Sequence, residues 1–429
     1  MYDLSIIGAG WAGFNAALRA RSLGLKTALI EESSIGGTCL NRGCIPTKTL
    51  VQSAKILEES RKAGIFGIGI SSLPQVDFLT VQARKDNIIR QLAKGMESRL
   101  SGIDYLSGSA RIADNQLIKI SGREISTKNI LLAVGSSPVE LPGLPFDGKK
   151  ILSSDQLLKL ETIPGSLLVV GGGVIGCEFA WIFASLGSKV SVVELSDQLL
   201  PGVDRDIARK LETVFKKKGV GVSTSTDAGS IDLNNFDKVL VCVGRKANYR
   251  EFAEIGIETG RSGFVVDDHL RTSVDNIYAA GDCTGKLMLA HYASYQGVIA
   301  AENIRSPQDQ RKADNTIVPA CIFTSPEIAC VGLTEAQARQ SNAQVRVSKF
   351  DFLGSAMARI QDETEGFIKV VSEGGSNKLL GAHIIGAKAT ELISVFALAL
   401  NYGMDANQLK RTIFAHPTFA ESIVESLGA

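Results

Sequence analysis

Leu4-Ser5-Ile6-Ile7-Gly8-Ala9-Gly10-Trp11-Ala12-Gly13 decides the reading of this chain: a short apolar strand runs straight into glycines spaced G-x-G-x-x-G. A helical stretch follows to Leu23, then a strand from Thr27 to Ile30 that ends at Glu31. The arrangement occurs a second time. Leu167 to Val170 leads into Gly171-Gly172-Gly173-Val174-Ile175-Gly176, then a helical stretch to Leu186, then Lys189 to Val193 ending at Glu194. In both copies the acid lies 18 residues beyond the third glycine (Gly13 to Glu31, Gly176 to Glu194). The chemistry of this pattern belongs to the backbone. The first glycine permits the tight turn, the second lets a pyrophosphate approach, and the third lets helix and strand pack. Unpaired amides and the positive end of the helix dipole then face the phosphates, and the acid accepts ribose hydroxyls. One such fingerprint can be a tight turn with no ligand. Two complete copies, each closed by an acid, imply two Rossmann-like dinucleotide domains in an α/β chain.

The second copy also bears on cofactor choice. Glu194 would repel a 2′-phosphate, and Leu195-Ser196-Asp197-Gln198 after it offers no Arg to bind one. NAD is therefore favoured over NADP.

The rest of the chain is consistent with that organisation. At 429 residues it is too long for one core, so two to four domains are expected. Apolar residues make up 45% and charged residues 21%, a globular balance. A net charge of +1 argues against an electrostatic nucleic-acid or membrane binder. Tyr2 to Ile7 already reads as strand with no basic leader before it, and glycines interrupt every long apolar run. A cytoplasmic protein without a membrane span is expected. The odd count of seven cysteines suits a reducing compartment, where a disulfide is more often catalytic than structural.

Pro142, Pro145 and Gly148 cluster where the first copy gives way to the second, and the polar run Arg305 to Asn315 reads as a linker. Beyond it Ile322, Ala329 to Val331, Val345 to Phe350, Phe367 to Val371 and Leu379 to Ile385 read as strands, and Glu391 to Tyr402 as an apolar-faced helix. This third unit carries no glycine fingerprint and is expected to be an antiparallel sheet with helices.

Directly after the first acid stands Gly36-Gly37-Thr38-Cys39-Leu40-Asn41-Arg42-Gly43-Cys44-Ile45-Pro46-Thr47-Lys48. Cys39 and Cys44 thus emerge beside the first dinucleotide. On a regular helix, residues five apart have α-carbons roughly 8–9 Å apart, and a disulfide tolerates at most about 7 Å. If the two pair, the helix must break between them, and Gly43 is the residue that permits it.

This stretch resembles the redox segment of the class I pyridine nucleotide-disulfide oxidoreductases, most closely the dihydrolipoamide dehydrogenase branch. The resemblance spans essentially the whole chain. It takes in both fingerprints, Thr272 to Asp282, Met288 to His291, Thr324 to Glu327 and the terminal His416-Pro417-Thr418-Phe419-Ala420-Glu421. It implies an FAD domain in 1–146 with a return segment in 263–313, an NAD domain in 147–262, and a C-terminal dimerisation domain in 314–429. FAD would lie on Gly8, Gly10 and Gly13 with Glu31 on the adenosine ribose. Gly37, Thr38, Lys48, Ala110, Gly135, Asp282 and the turn Met288, Leu289, Ala290, His291 would complete its site. NAD would lie on Gly171, Gly173, Val174, Ile175, Gly176, Glu194 and Gly244.

The same resemblance makes Cys39 the interchange thiol and Cys44 the thiol against the flavin, joined as a redox-active disulfide. Only a thiolate attacks a disulfide, so one sulfur must be reachable and the other stabilised as an anion. His416 is the candidate base, oriented by Glu421 and reaching the partner subunit's cysteines in a homodimer with shared sites. Glu178, taken to stand where the second helix starts, suits that helix's positive end and would pair with Lys48 near the flavin. Electrons would pass from dihydrolipoyl groups, carried on the lipoyl domains of a multienzyme complex, to NAD. Cys177, Cys242, Cys283, Cys321 and Cys330 read as small apolar fillers, His269 and His383 as structural, and no metal cluster is visible. Against that family the stretch between Glu194 and Gly244 is shorter by roughly twenty residues, which leaves Asp227 to Phe236 as a loop and puts nicotinamide affinity and the packing of Val220 to Thr226 in question. Ser325 stands where family members often carry His and receives no role. Rival readings are a glutathione-type reductase, which would need basic residues after the second acid, a mercuric reductase, which would end in a cysteine pair, and a structural subunit of a complex. Ser426-Leu427-Gly428-Ala429 has no such pair.

Overall fold

The computed structural model describes residues 1–428 except 73, 342 and 343, and leaves out the side chains of 253 and 254. Three sheets organise it. The first has all strands parallel, in the order Ile277–Ala279, Ile130–Leu132, Leu4–Ile7, Thr27–Glu31, Asp104–Ser107. The second is again parallel: Ile151–Leu152, Lys238–Val241, Ser166–Val170, Lys189–Val193, Gly221–Ser223. Both have the same order about their fingerprint strand. In such sheets the ligand crevice opens beside the first strand, where the connections diverge in opposite directions.

The strands are apolar on both sides because helices cover both faces. Leu4, Ile6 and Leu29 pack on the helices Trp11–Ser22 and Ala290–Arg305, which lie against each other. In the second sheet Leu167, Val169, Val190 and Val192 face the helices Val174–Ser185 and Arg205–Lys217. Its opposite face carries Leu168, Val170, Val193, Val239 and Val241. The expected loop Asp227 to Phe236 lies on that face as two short 3-10 turns, with Ala228, Ile231, Leu233 and Phe236 against the strands. The shortened unit thus keeps its apolar cover. Gly221–Ser223 keeps parallel pairing with Lys189–Val193, which answers the question over Val220 to Thr226.

Where the chain passes between the first two units, Ser136–Pro138 pairs antiparallel with Arg245–Ala247. This two-stranded ribbon ties the outward and return crossings together.

The third sheet is antiparallel, in the order Ala320–Ile322, Glu327–Gly332, Leu379–Gly386, Phe367–Glu373, Val345–Asp351. Alternation divides its residues. Ala329, Val331, Ile368, Val370, Ala382 and Ile384 pack under the helix Ala389–Asn401. Ile328, Phe367 and Ile385 point the other way, into a core shared with Leu50, Ala54, Phe179 and Phe183 of the first two units. Among the described residues no helix is long and apolar enough to cross a membrane.

The loop cover of the second sheet is testable. Phe236→Ala removes part of the only side chain of aromatic size in that loop. It is expected to cost about 1–3 kcal/mol, less than a fully buried ring. Differential scanning calorimetry should show the melting midpoint lowered by a few degrees, with FAD content unchanged.

Candidate redox and dinucleotide site

The two fingerprints are geometric copies of each other. Glu31 accepts the Ala9 N–H at 2.7 Å and the Ser33 N–H at 3.0 Å. Glu194 accepts the Gly172 N–H at 2.6 Å and the Ser196 N–H at 2.8 Å. Each acid therefore fixes the peptide between the first two glycines. A β-carbon at Gly13 or Gly176 would fall 1.8 or 1.9 Å from the carbonyl oxygen of Gly8 or Gly171, so the third glycine is a packing requirement. At Gly173 a β-carbon would meet nothing within 4 Å, and at Gly10 only the Gly37 α-carbon at 4.0 Å. The second glycine of each copy thus faces open space at the start of a helix. That is the cradle a diphosphate requires, and the residues present fit two dinucleotides. Val174 and Ile175 begin the second of these helices, and Gly244 lies exposed in the turn that follows Lys238–Val241.

Gly37, Thr38 and Cys39 sit on a short helix, Gly37–Arg42, whose start touches Gly10. The next helix is Cys44–Lys62, and Gly43 is the break between them. A β-carbon at Gly43 would crowd Thr38 O at 3.0 Å and the Cys39 α-carbon at 3.4 Å. That close return brings the two cysteines together. Their side chains hydrogen-bond to each other. The pair shares a proton unequally. Cys39 donates to Cys44, which with the Lys48 ammonium brings the Cys44 thiol down to about 7 against the pull of burial. Cys39 is pushed up by the same interaction and by burial, and the indole of Trp11 partly offsets this. Burial raises the other five thiols, Cys283 to about 12 and Cys321 and Cys330 to about 11. They behave as the apolar fillers expected.

Lys48 lies one turn beyond Cys44. Its Nζ is 2.8 Å from both carboxylate oxygens of Glu178 and 4.6 Å from the centre of the Phe323 ring. Glu178 is 3% exposed and also accepts the Phe323 N–H at 2.9 Å. Its placement corrects the expectation of a helix-start acid. The helix begins at Val174, so Glu178 stands in the second turn, where its partners and not the dipole hold it.

Two residues to which the sequence assigned no role close the site. Arg245 donates through Nε to Ser136 Oγ at 2.8 Å and through a terminal nitrogen to Ser136 O at 2.7 Å and Thr38 Oγ1 at 3.4 Å. Ser136 donates in turn to Asp282 at 2.6 Å. The ribbon between the units therefore connects Asp282 to the cysteine helix. Ser136 follows Gly135, whose carbonyl accepts the Asn248 N–H at 2.9 Å. Ala110 is buried at the start of Ala110–Asp114. Met288, Leu289, Ala290 and His291 enter the helix Ala290–Arg305, with His291 Nε2 2.8 Å from Pro319 O.

His416 and Glu421 lie apart in the C-terminal unit. His416 Nδ1 is 2.8 Å from Glu421 Oε1, and Glu421 also accepts the Thr418 N–H at 2.8 Å. Those two bonds hold the Glu421 carboxyl below its usual range. The His416 side chain is 74% exposed, so its other ring nitrogen is open to the surroundings. Among the described residues no group of side chains could hold a metal ion.

The family described as pyridine nucleotide-disulphide oxidoreductase matches residues 2–297, and the dimerisation domain of the same family matches residues 318–427. A dihydrolipoyl dehydrogenase of Bacillus subtilis is 39% identical over 448 residues, covering 99% of this chain and 97% of that protein. One from Chlamydia muridarum is 40% identical, covering 99% and 96%. Among solved structures, RclA of Escherichia coli, an HOCl-induced flavoprotein disulfide reductase, superposes with a TM-score of 0.88 at 30% identity, covering 99% of each chain. LpdA of Mycobacterium tuberculosis superposes with a TM-score of 0.91 at 29% identity, covering 99% and 98%.

The thiol asymmetry predicts a titration. In the reduced protein one thiolate should appear as pH rises through about 7, followed by absorbance at the thiolate band. Because the Lys48 ammonium favours that thiolate, Lys48→Met should move the midpoint upward. An unmoved midpoint would remove Lys48 from the account.

Proposed function

The chain belongs to the class I pyridine nucleotide-disulfide oxidoreductases, closely related to dihydrolipoyl dehydrogenases, and from that premise we propose that it oxidises dihydrolipoyl groups with NAD. The chain is an FAD- and NAD-dependent disulfide oxidoreductase. The substrate is the step beyond. The reaction balances as dihydrolipoyl plus NAD+ giving lipoyl, NADH and a proton. Bound FAD would supply the two-electron link between the thiol pair and the nicotinamide, held by the first fingerprint with Glu31, Thr38, Lys48 and Asp282. The second fingerprint with Glu194 would hold NAD.

The remaining work falls on side chains of this chain. In the oxidised form a substrate thiolate attacks Cys39, the S–S bond breaks, and the pair of electrons leaves on Cys44. Cys39 and the Lys48 ammonium both favour the anion on Cys44 and make it the better leaving group, and the observation that carries the assignment is the paired cysteines at the Gly43 break with Lys48 one helical turn beyond. The second substrate thiol then attacks the mixed disulfide and frees Cys39. His416 takes the substrate protons, and Glu421 on Nδ1 fixes its tautomer so that Nε2 is the basic atom. The Lys48–Glu178 pair keeps a cation near Cys44 while its own charge is balanced.

His416 has its partners in the C-terminal unit, so the reading requires a second subunit to bring it to Cys39. Ile413, three residues before it, is 96% exposed, and Tyr402 is 79% exposed on the same unit. Apolar side chains this open on a dimerisation domain mark a surface that a second copy would cover. Lipoyl domains of a multienzyme complex are the fitting substrate carriers, and the odd count of seven cysteines suits a cytoplasmic setting. A second reading, a reductase of another disulfide, draws on the likeness to RclA. The higher identity to dihydrolipoyl dehydrogenases favours the first.

Purified holoenzyme should reduce NAD+ with dihydrolipoamide and use NADP+ poorly, and Cys39→Ser should reduce the rate to background. Turnover unaffected by Cys39→Ser would defeat the thiol assignment. No turnover of dihydrolipoamide beside brisk reduction of another disulfide by NADH would favour the second reading.

Shared sites have their own test. Cys39→Ser and His416→Gln homodimers should each be inactive, the latter by about 10²–10⁴-fold. Refolded together, they should regain about a quarter of wild-type activity, since half the dimers are mixed and each has one intact site. No recovery would mean that His416 serves its own subunit.

A further inference from the structure

A second group of buried charges lies where the NAD-side unit meets the C-terminal sheet. Lys369, 2% exposed in the strand Phe367–Glu373, has its Nζ 2.9 and 3.0 Å from the two oxygens of Asp204. The same nitrogen is 2.9 Å from Asp206 Oδ2 and 2.8 Å from Glu335 Oε2. An ammonium has three protons to give, and here three carboxylates receive them. The ladder places His383, also buried, and Lys349 beside Lys369 on the same sheet face. Lys349 reaches Asp206, and Arg339 reaches Glu335 at 2.9 Å. Burial alone would lower the Lys369 pKa, and the three carboxylates instead hold it at about 12.

What Asp204 anchors is the second fingerprint. Residues 194–204 run from the ribose acid Glu194 to the helix Arg205–Lys217, which Asp204 caps. Within that segment the Leu200 N–H donates to Gly172 O at 2.8 Å, while Glu194 accepts the Gly172 N–H at 2.6 Å. A β-carbon at Gly172 would stand 2.6 Å from Leu199 Cδ2. The central peptide of the glycine turn is thus gripped at both its N–H and its C=O by one segment, and that segment ends on Lys369. We propose that Lys369, in the C-terminal unit, is a positioning residue for NAD: by holding Asp204 it fixes residues 194–204 against Gly172 and so sets the affinity of the second fingerprint. The inference rests on reading that fingerprint as the NAD site.

Removal of the ammonium would not affect the three acids equally. Asp206 and Glu335 are 33% and 31% exposed and keep Lys349 and Arg339. Asp204 is 3% exposed, and Lys369 is the only cation with which it forms an ion pair among the described residues. Asp204 would keep only the N–H bonds from Asp206 at 3.1 Å and Glu335 at 3.4 Å, and a buried carboxylate without a counter-charge takes a proton or moves toward water. Movement would draw Leu199 and Leu200 away from the turn.

Calorimetric titration of the oxidised holoenzyme with NAD+ tests this without turnover. Lys369→Met should raise the Kd about tenfold or more. Its FAD content, and the rate at which dithiothreitol reduces its flavin, should stay at wild-type values. The double variant Asp204→Asn/Lys369→Met, which lacks the same single contact, should bind NAD+ no more weakly than Lys369→Met alone. Normal NAD+ binding by Lys369→Met, a loss in the double variant that multiplies the losses of Lys369→Met and Asp204→Asn, or FAD loss in step with NAD+ affinity would each overturn the proposal. If Lys369→Met does not fold, Asp204→Asn alone should weaken NAD+ binding several-fold with FAD retained, and unchanged binding overturns it. Wild-type protein that fails to bind NAD+ at all sinks the cofactor reading instead, and the same titrations with NADP+ then decide the role of Lys369.

Discussion

One buried carboxylate joins the three units. Glu178 belongs to the NAD-side helix Val174–Ser185, Lys48 to the helix that begins with Cys44, and Phe323 to the chain entering the C-terminal sheet. A charge that is 3% exposed is tolerable only if its partners are held in place. Here the partners are an ammonium bonded to both oxygens and a backbone N–H, each from a different unit. The apolar core around it is equally shared, with Leu50, Phe179 and Ile385 in one contiguous cluster. The relative placement of the two dinucleotide crevices therefore depends on this junction, and so does the cation that faces the thiols.

The thiols depend on it through electrostatics. Of seven cysteines only Cys44 has a thiol pKa brought below its ordinary value. Burial acts on all of them in the opposite direction. The difference at Cys44 is a donor, Cys39, delivered by the break at Gly43, and a cation, Lys48, one helical turn on. Glu178 opposes the effect of Lys48 on Cys44, and the balance of Cys39 and Lys48 against Glu178 and burial still favours the anion.

The parts of this architecture that were legible in the sequence are those whose cause is local. A glycine turn, a helix and an acid 18 residues on are one contiguous unit, and both copies fold as read. Gly43 was legible because covalent geometry allows no regular helix between paired cysteines. The strands of the third unit followed from alternation, and the observed register separates their two faces as alternation requires. Arg245 and Ser136 were not legible, since a serine after a glycine and an arginine after another carry no periodic signal. Their meaning comes from a ribbon pairing residues more than a hundred positions apart. Glu178 was read from its sequence position as a helix-start acid. The pairing with Lys48 across 130 residues, which resemblance and not periodicity suggested, is what holds it.

The NAD-side unit shows how a stretch without strands can close one face of a sheet. One face of its sheet is closed by a ten-residue stretch that has no strand pairing of its own, Asp227 to Phe236. Such a stretch contributes side chains to the core but few backbone bonds to fix the sheet. The rigidity must come from the opposite face, and there the helix Arg205–Lys217 is bound to the C-terminal unit by ion pairs at both ends, Asp204 and Asp206 to Lys369 and Lys217 to Glu365. The Lys369 pairs lie largely out of water, where charge interactions are screened less than on an open surface, whereas Lys217 and Glu365 meet on the surface. A dinucleotide crevice supported in this way takes its shape from two units at once. A dimer built through the C-terminal unit would then steady the NAD crevice as well as complete the thiol site.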